Sequence, residues 1–254
     1  MDWTDQAIVL ANRRHGEGSA IVDLLTRNLG RHVGLVRGAT GARMRGILQP
    51  GNSVQATWRA RLPEHLGNYT VELSKARAAQ LMDRRDAVLA LSSLCSVACT
   101  ALPERESHGE VYEATGHVLA LLASDDADLT DAAQAIVRWE YGLLGALGFG
   151  LDLSACAVTG ETENLIYVSP RSGRAVSREG AGDYASRLLD LPAFLRSDRG
   201  TTVEIGDVLS GLKLTGHFLE HHIYNSQGNQ LPPARERYLQ YLQGQTPTSG
   251  GEEP

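Results

Sequence analysis

Apolar and polar residues alternate in short runs through the first 80 positions and recur at three- to four-residue spacing after that. Residues 6–12 (QAIVLAN), 19–26 (SAIVDLLT), 32–37 (HVGLVR), 53–61 (SVQATWRAR) and 68–73 (NYTVEL) are short apolar or alternating stretches. Turn segments bearing glycine or proline separate them: HGEG, NLGR, GATGARMRG, QPGN and LPEHLGN. Five short strands at this spacing predict a small barrel or sandwich. Closing the sheet removes its exposed edges, and the five-stranded OB barrel is the common solution at this length, with an SH3-like barrel as the structural rival.

From residue 81 the period becomes helical. Residues 81–102 predict one long helix stopped by Pro103. Residues 109–123 carry Val111, Thr115, Val118, Leu119 and Leu122 on one face. Thr130 is the expected N-cap of a helix through Leu147 that buries Ile136, Val137, Trp139, Leu143, Leu144 and Leu147, with Gly148 near its C-cap. Residues 151–182 break the pattern, being rich in Gly and Ser with one strand expected at 165–169. Helical signals return at 183–190, 205–225 and 234–243, and the tail QTPTSGGEEP has a disordered composition. The expected architecture is α+β. Residues 1–80 form an OB-fold barrel, 81–150 and 183–245 a helical domain, 151–182 an insertion and 246–254 a disordered tail.

Composition narrows the function. The 254 residues suffice for a sizeable core. No apolar run approaches the roughly 20 residues that span a bilayer. The opening MDWTDQAIVL lacks the basic region and cleavage site of a signal peptide, so a cytoplasmic location is expected. Three cysteines make a poor disulfide framework, and Cys95 and Cys99 read as buried thiols on one apolar helix. The formal charge of −6 hides an asymmetry: residues 1–80 hold 11 Lys+Arg against 6 Asp+Glu (+5), and residues 81–254 hold 13 against 24 (−11). Such a split suggests that one part meets a polyanion. The cations are almost all arginine, which suits bidentate phosphate contacts, although a GC-rich genome produces the same bias.

The candidate chemistry lies in that basic part. Arg31, Arg37, Arg43 and Arg45, with Arg13 and Arg14 on the first hairpin, are the candidate residues for binding nucleic acid, Arg43 and Arg45 being read on the glycine-rich loop. Single-strand binding by an OB fold needs a positive groove and flat side chains for stacking. Aromatic residues here are few (Trp3, Trp58, Tyr69), and at least one belongs to the core. The expected binding is therefore dominated by phosphate contacts and sensitive to salt. The alternatives are a solvated arginine-rich surface and an OB-barrel adaptor that binds protein. His217, His221 and His222 share one helix, but Phe218 follows His217 and no third ligand is evident, so no metal site is expected there. No nucleophile elbow, Walker A loop or dinucleotide fingerprint occurs, and Asp125, Asp126 and Asp128 read as a solvated loop. No enzymatic activity and no cofactor are expected.

The segment 151–182 is the most diagnostic. Cys156-x-x-Thr159 and Ser177-x-x-Gly180 have the layout CxxC…CxxC of a zinc ribbon. Only one of the four positions is cysteine, and Thr, Ser and Gly do not replace thiolates around zinc. A degenerate ribbon without metal is expected.

Barrel, helices and degenerate ribbon in this order resemble the RecO family. The opening QAIVLANRRHGEGSAIVDLLTRNLGRHVGLVRGA looks like that family's N-terminal barrel, and Ala234-Arg235 stands where the family often shows Ser-Arg. The resemblance implies a non-enzymatic recombination mediator of the RecF pathway of DNA repair, located in the cytoplasm at the nucleoid. Such a protein binds single- and double-stranded DNA, anneals complementary strands, binds RecR, and helps load RecA onto strands coated by single-stranded-DNA-binding protein (SSB). The resemblance assigns the DNA-binding role to Arg31, Arg37, Arg43 and Arg45, and more weakly to Arg13, Arg14, Arg59 and Arg61. The resemblance also implies a pocket for the SSB C-terminal tail in the helical domain, an apolar hollow with at least one arginine.

Overall fold

The computed structural model, which describes residues 1–196 and 202–246, begins with a strand buried on both faces. In β1 (Asp2–His15), Ala7, Ile8, Val9 and Leu10 are all buried. Successive side chains point to opposite faces. Ala7 and Val9 therefore fill the barrel interior while Ile8 and Leu10 join the helical core outside it. β2 (Ser19–Thr26), β3 (Gly30–Arg37), β4 (Ser53–Arg59) and β5 (Asn68–Lys75) complete a closed barrel of order β1-β2-β3-β5-β4. β4 returns to pair with β1, and β3 runs parallel to β5 through Leu35–Asn68 and Val36–Tyr69. The arrangement is OB-like.

Between β3 and β4 the chain forms α1 (Ala42–Ile47), where the glycine-rich sequence predicts only a loop. Six residues are too few for a helical period to register. Ile47 and the following Leu48 are buried in the barrel core, so the helix seals one end of the barrel. Arg43 and Arg45 accordingly stand on a helix.

The long helix expected at 81–102 is α3 (Arg85–Ala101), which starts four residues later than expected because a separate short helix, α2 (Arg77–Leu81), ends at Leu81. Arg84 at the break donates to the carbonyls of Leu122 and Ser124, both at 3.0 Å, binding the joint to the end of α4 (Gly109–Leu122). α5 (Leu129–Ala146) is capped by Asp128 rather than Thr130, its carboxylate accepting the Asp131 N–H at 2.7 Å. Residues 151–182 hold β6 (Leu165–Val168), β7 (Ala175–Ser177) and α6 (Arg178–Ala181). The helix expected at 183–190 is a 3-10 turn (Gly182–Arg187) followed by β8 (Leu189–Asp190), which joins the small sheet in the order β7-β6-β8. Pairing of Leu189 with Val168 outweighs the local helical signal. α7 (Ile205–Leu219) continues through a π turn (Glu220–Tyr224), and α8 (Pro233–Gln243) closes the fold against α3. Positions 247–254 of the expected disordered tail lie outside the described residues.

Barrel and helices share one apolar core, to which Ile8, Leu10 and Leu25 contribute from the outer barrel surface. Beside it the chain at 104–106 lies along β3, Arg105 N–H donating to the Arg31 carbonyl at 2.7 Å. Gly30 (φ +72°) permits this approach, since a Cβ there would sit 1.7 Å from the Glu106 carbonyl oxygen. Among the described residues no helix is long and apolar enough to cross a membrane.

Candidate nucleic-acid interface

The β1–β2 register sets Arg13 opposite Ile21 and Arg14 opposite Ala20. The tip of this hairpin is bound to the loop after β3, Ala39 N–H donating to the Gly18 carbonyl at 2.9 Å. Asn12 Nδ2 donates to the Leu48 carbonyl at 2.6 Å, tying the same hairpin to the end of α1. These bonds bring Arg14 and Arg45 to the walls of one cleft. Arg37 ends β3 opposite Ser19, and Arg43 lines the neighbouring groove, which also contains Glu72. Arg13, Arg14, Arg37, Arg43 and Arg45 are exposed, and among the described residues none of the five forms a salt bridge.

Arg59 and Arg61 are further round the barrel. One register row runs Arg13, Ile21, Leu35, Asn68, Arg59. Arg37 and Arg59 face outward, because their neighbours Val36 and Trp58 point into the core. With β5 between them and an offset of two residues along the strands, they stand ~12 Å apart. Thr4, Thr57 and Thr70 share this outer face, and the Thr4 and Thr57 hydroxyls are 2.9 Å apart. Arg59 makes a loose contact with Asp2 at 3.9 Å, both side chains being exposed. Arg61 is exposed in the β4–β5 loop.

Arg31 is not part of this surface. Its side chain is 14% exposed. Its Nε donates to the Leu102 carbonyl at 3.0 Å, Nη1 to Asp23 at 3.2 Å and Nη2 to Glu104 at 3.4 Å. The segment covering β3 closes over it, and Arg31 pins the barrel to the helices. Burial raises the Asp23 carboxyl to about 6, against the lowering effect of Arg31 and with a further push from Glu104.

The aromatic residues are occupied. Trp58 and Tyr69 are in the barrel core, and half-buried Trp3 stacks on Trp58 with ring centroids 5.9 Å apart and planes 19° apart. His32, which sequence reasoning passed over, completes the cluster. Its ring meets Trp3 edge-on at 5.0 Å, and the Tyr69 hydroxyl lies 2.8 Å from its Nδ1. Burial first, then the charge of Arg105, lower the His32 ring to about 4, so it is neutral at physiological pH. Phosphate contact is therefore the main chemistry this surface offers. Sequence reasoning also passed over Asn12, Ser19 and Thr40, which line the cleft with Arg14 and Arg45. They carry no local signal, because the strand register and the fold of the loop bring them together.

The four ribbon positions do meet. The Cys156 sulfur accepts the backbone N–H groups of Val158 and Thr159 at 3.4 Å and of Ser177 at 3.2 Å, and the Ser177 hydroxyl at 3.4 Å. A Cβ on Gly180 would lie 2.8 Å from this sulfur. Burial raises the thiol, but the hydrogen bonds from Ser177 and Thr159 outweigh it and pull the thiol down to about 6. Zinc does not fit: the three partner positions offer no thiolate, and the glycine is drawn too close for a ligand side chain. Among the described residues no cluster of three or more His, Cys, Asp or Glu could hold a metal ion. His217 and His221 stack face to face at 6.1 Å, and His217 Nε2 lies 3.1 Å from the Pro170 carbonyl.

Comparison with known proteins bears on both halves of the chain. The family model for the N terminus of recombination protein O matches residues 1–77, and the one for its C terminus matches residues 82–231. The DNA repair protein RecO of Rhodospirillum rubrum is 51% identical over 243 residues, covering 95% of this chain and 96% of that protein. The protein of the same name from Bradyrhizobium sp. (strain ORS 278) is 52% identical over 240 residues, covering 94% and 95%. That of Jannaschia sp. (strain CCS1) is 47% identical over 252 residues, covering 98% and 100%. With both terminal models matched in order and half of the residues identical over nearly the whole length, the chain belongs to the RecO family.

Proposed function

We propose that this chain acts in DNA repair and homologous recombination as a non-enzymatic mediator of the RecF pathway, binding single- and double-stranded DNA at the α1 end of its barrel. The observation that carries this reading is the meeting of Arg14 and Arg45 in one cleft at this end of the barrel, with Arg13, Arg37 and Arg43 exposed on the adjoining hairpin, strand end and groove, and none of the five in a salt bridge among the described residues. Arg59 and Arg61 extend the surface across β4, and Arg31 is left out because it is committed to the helices. Neutralising phosphates with such a surface lowers repulsion between strands, which favours annealing.

The helical domain, at 81–150 and 183–245, supplies the partner contacts: RecR, and the C-terminal tail of SSB. Joining this attachment to the DNA contact in one chain gives avidity, which would help RecA load on SSB-coated strands. Residues 151–182 are a degenerate zinc ribbon in which hydrogen bonds to Cys156 stand in for the metal. The site of action is the cytoplasm, at the nucleoid.

The test is salt-titrated binding to a single-stranded oligonucleotide. Each phosphate neutralised contributes roughly 0.7 to the salt slope of single-strand binding. Arg37→Glu with Arg43→Glu should flatten that slope by about 1.4 and reduce annealing. Unchanged affinity at low salt would overturn the surface, and negligible affinity of the wild type would favour a protein-binding adaptor.

A further inference from the structure

The cleft beside α1 is a bounded pocket of about 290 Å³. One wall is the β1–β2 hairpin and the other is the loop after β3 with α1. The hydrogen bonds Asn12–Leu48 and Ala39–Gly18 join these walls, so the width of the cleft is set before any ligand arrives. Arg14 lies opposite Ala20 and shares its face of the sheet, which at this end of the barrel opens towards Arg45. The buried Ala20, Ala39 and Leu48 give an apolar floor, and Ser19 and Thr40 add hydroxyls. Among the described residues no acidic residue lines the cleft.

We propose that this cleft binds the terminal nucleotide of a DNA strand, with its phosphomonoester between Arg14 and Arg45 and its sugar on the apolar floor. The volume is at the small end of ligand pockets and suits one nucleotide rather than a duplex. A strand passing through would need to leave again, and the two ties between the walls obstruct that. A terminal monoester carries nearly two charges and three free oxygens, which matches two guanidinium forks better than the single charge of an internal diester. The inference rests on the DNA-binding reading above and specifies a ligand for part of that surface.

The experiment compares three oligonucleotides of one sequence, bearing a 5′-phosphate, a 3′-phosphate or neither, bound to the full chain at fixed salt. One phosphorylated form should bind about tenfold more tightly than the unphosphorylated strand, the effect of one added charge-assisted hydrogen bond. In Arg14→Gln with Arg45→Gln that ratio should fall to about one, whatever happens to affinity. Ser19→Glu, which puts a carboxylate into the cleft, should abolish it as well. Equal, salt-sensitive binding of all three strands by the wild type would overturn the cleft assignment and leave the DNA-binding reading standing. Absence of binding to all three would remove both. A preference that persists in the double variant would also overturn the assignment.

Discussion

Arg235 and Glu140 form a two-pronged ion pair, Nε to Oε1 at 2.7 Å and Nη2 to Oε2 at 2.9 Å, in which neither side chain is more than 2% exposed. The pair joins α8 to α5, and Arg235 also donates to the Leu212 carbonyl of α7 at 2.6 Å. Gly216 makes room, since a Cβ there would lie 2.8 Å from Nη1. Removing the cation leaves a buried carboxylate uncompensated, which costs about 3–5 kcal/mol. Arg235→Met should lower the urea midpoint accordingly. Replacing both partners with apolar residues should recover much of the loss.

Gly30→Ala tests how firmly the barrel is seated on the helices. The added methyl meets a backbone carbonyl, and the left-handed φ adds strain. A loss of about 2–4 kcal/mol is expected from thermal or urea unfolding. A loss below 1 kcal/mol would mean that segment 104–106 can lift away from β3.

Much of this fold is legible in the sequence where a segment is governed by its own pattern. The strand at 19–26 has the expected bounds, and the helix at 109–123 differs by one residue. Errors concentrate where tertiary contacts decide: α1 is too short for its period, the start of α3 is set by Arg84 reaching to α4, and β8 forms because β6 is beside it. The candidate site shows the same division. The basic character of the barrel can be counted, but Arg31 looks like its neighbours until Asp23 and Glu104 are seen around it. Arg235 gives no sign in sequence that its charge is buried.

Cys156 predicts a pH dependence. Its thiol is held near 6 in the fold, against an ordinary value of 9. Between these values the unfolded chain binds more protons, so stability rises with pH. The contribution is complete above about 9 and is lost as pH falls through about 6. The gap in urea midpoint between wild type and Cys156→Ala should therefore be widest near pH 9 and narrow towards pH 5. A constant gap would mean that the thiol stays protonated in the fold.

The same cradle predicts indifference to chelators. With hydrogen bonds rather than a metal holding residues 151–182, chelation should leave the melting temperature unchanged, and purified protein should contain no stoichiometric zinc. Gly180→Ala, by contrast, pushes a methyl against the Cys156 sulfur and should cost about 1–3 kcal/mol. One zinc per chain would refute this account of the segment.

Burial of β1 on both faces has a mechanical consequence. Cut away at residue 80, the barrel would carry Ile8, Leu10 and Leu25 into water, at roughly 1.5–3 kcal/mol each. Such a fragment would self-associate through that stripe even though its sheet has no free edge. In the intact chain the stripe is the seam that transmits load. A displacement of the barrel reaches the helices through packed side chains rather than across a slack linker.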